Sequence, residues 1–220
     1  MWGFGFSGDT PEIDRKKIDS LLQFVGMEKA RIVGNKVVKD SPGVMFNMNA
    51  IAKGYSADVV ANFLKEKGSR NFLINIGGEI VAHGVNESGH IWLIGIERPD
   101  ENAYYGEALQ SYLRLKNKAM ATSGNYRRFH EIDGKKYGHT FDPKTGYPVM
   151  HNLLSATIIA DDCITADAWA TACFASGLEK SIKLLKQHPK LDAILIYTDE
   201  NGKYQTYVTD GLELLFLSNE

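Results

Sequence analysis

Nowhere in its 220 residues does the sequence contain a run of eighteen apolar residues, so no helix long enough to cross a bilayer is expected. Its first residues, MWGFGFSGDT, have neither the charged start nor the apolar centre of a signal peptide. Cysteine is scarce: only Cys163 and Cys173 occur, both in apolar surroundings. That excludes a disulfide framework and predicts a pair of buried free thiols, which leaves the redox compartment open. Basic excess is also missing, because 25 Lys and Arg stand against 27 Asp and Glu for a net charge of −2. A nucleic-acid partner is therefore not expected, since phosphate-backbone binders carry a clear positive surplus. No G-x-G-x-x-G follows a strand pattern, so a Rossmann dinucleotide site is unsupported. Internal repeats and low-complexity segments are absent as well. What the chain does have is 44% hydrophobic composition, enough to bury a sizeable core in a single domain spanning 1–220.

The periodicities alternate between short strands and a few helices. Ile13, Ile18, Leu21, Leu22 and Val25 recur at helical spacing and predict an amphipathic helix over 14–25. Lys29 to Val38 reads as a hairpin turning at Asn35, and Gly43 to Phe46 as a further short strand. A loop at Asn47 to Tyr55 runs into a helix that passes Phe63 and Leu64 and stops at Gly68. Asn71 to Val81 (NFLINIGGEIV) reads as one buried strand in which Gly77-Gly78 allows a bulge or a close backbone approach. His90 to Ile96 and Ala108 to Lys116 are predicted strands, and Lys118 to Thr122 leads into Ser123-Gly124-Asn125-Tyr126, which reads as a turn. Leu153 to Ala160 is a β-branched strand, Thr165 to Ala175 a helix of small residues with Gly177 just past its end, and Leu178 to Gln187 another helix. Asp192 to Thr198 and Tyr204 to Val208 form a hairpin about Glu200-Asn201-Gly202, and Leu212 to Leu217 gives a last strand. Strands outnumber helices and are joined mostly by hairpins. The predicted class is α+β, a largely antiparallel sheet with helices packed on it.

Three features could carry chemistry. Tyr137 to Val149 (YGHTFDPKTGYPV) holds a tight turn at Asp142 to Gly146, with Pro fixing φ and Gly supplying the left-handed residue, and it sets His139 and Thr140 at its mouth. An imidazole there could serve as a base near neutral pH or simply pack beside the turn. Asp167 and Thr171, four apart on one helix, share a face and offer two hard oxygens, which suits Mg²⁺ better than zinc. The same pair also fits a plain structural role, since Asp near a helix start is favoured by the macrodipole and Thr often bonds its own i−4 carbonyl. Lys53 stands at a loop-to-helix junction whose free N–H groups attract anions, although a lone surface lysine usually has no partner.

HTFDPKTGYPV followed by ADAWAT, with NMNAIAKGYSAD at Asn47 to Asp58, NIGGEI at Asn75 to Ile80 and SGNY at Ser123 to Tyr126, resembles the ApbE family. Its members are FAD:protein FMN transferases once described as thiamine-biosynthesis lipoproteins. The resemblance implies an ApbE-like (T-fold-like) domain whose N-terminal part lies upstream of the WGFG segment at Trp2 to Gly5. It implies FAD contacts at Asn47, Lys53 and Phe141, and Mg²⁺ held by the backbone carbonyl of Ala50 with Asp167 and Thr171. His139 is the candidate base. Asn47 departs from the family, which commonly has Asp there, and so keeps hydrogen-bonding shape while losing a charge.

The activity implied by the resemblance is Mg²⁺-dependent transfer of FMN from FAD to a Thr or Ser hydroxyl of a target protein, with AMP released. The alternatives are a Mg²⁺-dependent FAD pyrophosphatase, a non-catalytic FAD-binding protein, or a domain unable to close its FAD pocket without the upstream part. Expected partners are FAD and flavoprotein subunits of ion-pumping respiratory complexes. The family's usual location is periplasmic or cell-surface, through a lipid anchor that this sequence does not contain.

Overall fold

The computed structural model describes residues 14–99, 109–124, 129–132, 135–212 and 214–216. Ile13, the WGFG segment, Asn125 and Tyr126 of SGNY, and Leu217 lie outside them. In chain order the elements are α1 (Arg15–Leu22), β1 (Ala30–Val33), β2 (Lys36–Lys39), α2 (Ala52–Glu66), β3 (Phe72–Ile76), β4 (Glu79–His83), β5 (Trp92–Glu97), β6 (Leu109–Leu115) and β7 (Lys118–Gly124). They continue with β8 (Phe129–Ile132), β9 (Lys135–Gly138), β10 (Leu153–Ala160), α3 (Cys163–Ser176), α4 (Leu178–Gln187), β11 (Asp192–Thr198), β12 (Tyr204–Val208) and β13 (Leu214–Phe216). Among the described residues no helix is long and apolar enough to cross a membrane.

Backbone contacts divide the chain into two compact units. The smaller draws on the described parts of Met1–Asn47 and His130–Val149. In it, α1 starts where the Asp14 carboxylate accepts from the Lys16 N–H at 2.9 Å, an N-cap that meets one of the first turn's orphan donors. β1 and β2 pair as the expected hairpin, with Val33 opposite Lys36. Gly43 to Phe46 is not a strand. The Val44 N–H turns back to the Ser41 carbonyl at 3.1 Å, so the Pro42-Gly43 turn spends the donor that a ladder would need. Val44 alone of this group is buried.

The larger unit, Met48–Phe129 with Met150–Glu220, holds a six-stranded sheet ordered β12-β11-β10-β7-β4-β3, antiparallel throughout. The three-stranded sheet β13-β6-β5 covers one of its faces. Ile80, Ala82, Met120, Ile159, Ile194 and Ile196 meet Ile94, Ile96, Leu113 and Leu115 there in one dry core. Residues one position over point the other way, because side chains alternate along a strand. Val81, Ala119, Phe72 and Ile74 pack against Ala57 and Ala61 of α2 and Cys163 of α3. The predicted α+β class with antiparallel sheet is what the molecule has.

Asn71 to Val81 is a hairpin rather than one strand. Ile76 pairs with Glu79, and Gly77 and Gly78 between them take φ of +62° and +104°. A two-residue turn that follows the sheet's twist needs positive φ at both positions, which two glycines supply without strain. The turn sets Glu79 two residues before Val81, hence on the helix-covered face. Ser123 and Gly124, read as a turn from sequence, are the end of β7 and pair with Ala156 and Ser155.

Candidate functional site

The candidate residues of the larger unit gather where α2 begins beside α3. The N-cap of α2 is Ile51, which makes no side-chain capping bond, so donors of the first turn need an acceptor from elsewhere. Asp167 of α3 provides it: its Oδ2 accepts the Gly54 N–H at 3.0 Å. The converse bond runs from α2 to α3, because the Asp58 carboxylate accepts the N–H groups of Cys163 and Ile164, each at 2.8 Å. Asp162, the N-cap of α3 itself, takes the Thr165 N–H at 2.8 Å. Each helix thus carries a carboxylate that caps the other, and each favours its partner's positive dipole end.

Gly54 allows this approach. A Cβ on it would lie 2.4 Å from the Cys163 carbonyl oxygen and 2.8 Å from the Asp167 Cβ. Ala57 and Ala61, both buried, continue the small-residue face one and two turns on. Local propensity alone would not choose glycine in a helix's first turn, where it is worse than alanine by roughly 1 kcal/mol. Backbone proximity explains it here.

Lys53 is in that same turn. Its Nζ donates to Glu79 Oε1 at 2.5 Å, so it is not a lysine without a partner. Glu79 is only 1% exposed, and its Oε2 is buried with no hydrogen-bond donor among the described residues. Burial raises the Glu79 carboxyl above its ordinary value; the Lys53 ammonium offsets part of that, and the nearby Asp167 charge adds to it. Burial likewise raises Asp167, against the Gly54 N–H and Lys53. Two buried carboxyls that both feel the Lys53 ammonium make this a strongly polar spot in an otherwise apolar layer. Sequence reasoning missed Glu79 as a site residue. The available signal was its place directly after a Gly-Gly turn, at the strand parity of an inward-facing Val.

Thr171 follows Asp167 by one turn and is half-buried, and its hydroxyl lies 3.1 Å from Ser123 Oγ at the end of β7. Ala50 is in the turn just before α2, where Ile51 and Ala52 N–H groups bond the Met48 carbonyl at 3.0 and 2.9 Å. Among the described residues no group of three or more His, Cys, Asp or Glu side chains forms a metal cage. Asp167 and Thr171 offer instead one carboxylate and one hydroxyl, a hard-oxygen pair that suits Mg²⁺ better than zinc. Cys163 and Cys173 are buried free thiols, as expected, pushed up by burial to about 12 and about 11. Neither is a ready thiolate nucleophile.

Asn47, His139 and Phe141 belong to the smaller unit. The predicted turn is present there: Asp142 accepts the Gly146 N–H at 2.8 Å through its carbonyl and the Lys144 N–H at 2.8 Å through its side chain. Phe141 bridges Pro148, and the Val149 N–H bonds the Thr140 carbonyl at 2.9 Å. This closes the loop below His139, which is exposed.

The sequence profile of the ApbE family matches residues 1–195. The chain is 36% identical to an FAD:protein FMN transferase of Haemophilus influenzae, over 92% of this chain and 59% of the relative. It is 34% identical to one of Vibrio cholerae, over 92% of this chain and 60% of the relative. Among solved structures, the flavin transferase ApbE from Vibrio cholerae superimposes with a TM-score of 0.82 at 32% identity, covering 95% of this chain and 65% of that one. The apo flavinyl transferase of Pseudomonas stutzeri does so with a TM-score of 0.82 at 31% identity, over 95% and 63%. The chain therefore spans about three fifths of the length of the curated relatives it matches.

Proposed function

The chain belongs to the ApbE family, and from that premise we propose that it transfers FMN from FAD to a Thr or Ser hydroxyl of a target protein. The observation that carries this reading is the corner where the first turn of α2, with Lys53, meets Asp167 and Thr171 of α3. A helix start with an ammonium beside it favours a pyrophosphate. A carboxylate and hydroxyl one turn apart favour a hard cation that a pyrophosphate brings or needs.

In the proposed reaction the acceptor hydroxyl oxygen attacks the FMN phosphorus of FAD. A phosphoester bond forms, the bond to the AMP phosphate breaks, and AMP leaves with the charge that bond carried. His139 takes the proton of the acceptor hydroxyl and passes it to solvent. Lys53 has three N–H donors, of which one is on Glu79, so two remain for phosphate oxygens. Asn47 and Phe141 are assigned to FAD, with Asn47 contributing hydrogen bonds but no charge. Mg²⁺, held by Asp167, Thr171 and the Ala50 carbonyl, would supply charge neutralisation at the pyrophosphate. The acceptors implied are flavoprotein subunits of ion-pumping respiratory complexes.

The test is to incubate the chain with FAD, MgCl₂ and an acceptor and to follow covalent flavin and AMP together. Equal amounts of both are expected. AMP with free FMN and no labelled acceptor would instead mark a pyrophosphatase, and retained FAD without AMP a flavin-holding protein. In the same assay His139→Asn should keep FAD affinity and slow single-turnover transfer by roughly 10²–10⁴, the contribution of one general base. Loss of affinity and rate together would assign His139 to holding ligand or fold, and loss of neither would remove it from the mechanism.

A further inference from the structure

Glu79 is an expensive residue to keep where it is. It is 1% exposed, one oxygen meets Lys53 and the other, buried, meets no donor among the described residues. A buried carboxylate with one ammonium partner and an unsatisfied oxygen gives little net stability, and an apolar or amide side chain would be easier to fold around. Its partner, by contrast, is a side chain about half exposed, at 49%. Lys has four flexible methylenes and a strongly hydrated head, so without a partner its charge would be spread over many rotamers. Moving the ammonium away would strand the Glu79 charge in an apolar layer. The pair therefore fixes the lysine more than the lysine fixes the pair.

We infer that Glu79 is a positioning residue, whose buried carboxylate anchors the Lys53 ammonium at the first turn of α2 so that its remaining N–H donors meet the anionic substrate in one place. Several features converge on this role. The Gly77-Gly78 turn puts Glu79 at the first residue of β4, with the parity of Val81, facing α2. A Cβ on Gly77 would lie 3.7 Å from the Lys53 Cδ and 3.9 Å from Glu79 Oε2, so the turn's backbone also lines the path of the lysine. The inference rests on the reading above, in which Lys53 meets the FAD pyrophosphate. It adds that the lysine is effective only while Glu79 holds it.

A double-mutant cycle on the whole chain tests this, with AMP release followed as FAD is varied at fixed acceptor and MgCl₂. Glu79→Gln keeps the side chain's volume, and its fold is checked by its unfolding midpoint. Glu79→Asp, which keeps the charge but shortens the reach, stands in should the amide variant fail to fold. The expected result is a KM for FAD raised on the order of tenfold in E79Q with kcat little changed, an intermediate KM in E79D, and no further increase when either is added to Lys53→Met. A wild-type KM in E79Q overturns the inference, as does an increase of equal size with Lys53 present and absent, because Glu79 would then not act through the lysine. If K53M itself turns over FAD with the wild-type KM, both the placement of Lys53 at the pyrophosphate and the role given to Glu79 fall.

Discussion

On the face of the six-stranded sheet that meets β5 and β6, the buried polar side chains include the neutral hydroxyls of Thr157 and of Ser111 from β6. Thr157 lies 2.8 Å from the exposed Thr122 on the neighbouring strand, and the Ser111 hydroxyl has no hydrogen-bond partner among the described residues. On the face covered by α2 and α3, the buried polar groups are carboxyls. Glu79 and Asp167 are both nearly out of solvent, and burial raises both above their ordinary values. The two faces share the same strands and the same alternation, so the difference is not one of fold. A buried neutral hydroxyl, even one without a partner, costs far less than a buried charge. Charged groups with incomplete pairing cost stability, and they persist where a ligand or reaction uses them.

The sharpest way to break the comparison is to damage each face separately. Ile194→Ala, at a fully buried position of the sheet-covered face, should lower unfolding free energy by about 2–5 kcal/mol in a denaturant titration. The KM for FAD of the remaining folded protein should be unchanged. Gly54→Ala acts on the other face. Its new methyl would have to displace the Cys163 carbonyl and Asp167, which stand 2.4 and 2.8 Å from it. We expect a loss of about 1–3 kcal/mol from overpacking, this time with impaired turnover, since α2 and Asp167 must move apart.

Asp167→Asn sharpens the contrast by removing charge and keeping shape. Because burial holds the Asp167 carboxyl above its ordinary value, the folded chain binds that proton more tightly than the unfolded chain does. Folding is therefore favoured most below the ordinary carboxylate range, near pH 4, and that advantage is lost as pH rises through the raised folded value. At pH 7 the metal-free Asn variant should be more stable than wild type, with the gap closing as pH falls toward 4. Thermal melts across that range check it. A variant less stable than wild type at pH 7 would show that the carboxylate cap on Gly54 outweighs its burial.

Much of the architecture was legible because local signals agreed. α4, β11 and β12 fall at their expected positions, where helical or alternating patterns are bounded by Gly177 and by the Asn201-Gly202 turn. The misreadings came where one residue type serves two purposes. Glycine pairs punctuate both bulges and hairpin turns, so Gly77-Gly78 did not reveal that β3 folds back on β4. Gly43 to Phe46 had strand-like residues, but the Val44 N–H is taken by the Ser41 carbonyl in a turn. For the site, the chemistry of single side chains could be read from Asp167, Thr171 and Lys53. Their partners could not, since Gly54, Glu79 and Ser123 are 113, 26 and 48 residues from the groups they bond. Only tertiary register brings them there. The burial of Glu79 was invisible for the same reason, because a Glu beside two glycines looks like a solvated turn until the strand's parity is known.

In the function we propose, the charged corner between α2 and α3 would bind the cation needed for chemistry, through Asp167. The most direct test is the unfolding midpoint of the wild-type chain and of Asp167→Asn at pH 7 with rising MgCl₂, in the presence and absence of FAD. Wild type should gain stability with Mg²⁺, by about 2.7 kcal/mol at a hundredfold excess over the dissociation constant, and more steeply when FAD is present. The Asn variant should gain none. An equal gain in both proteins, or no gain in wild type with FAD bound, would contradict it.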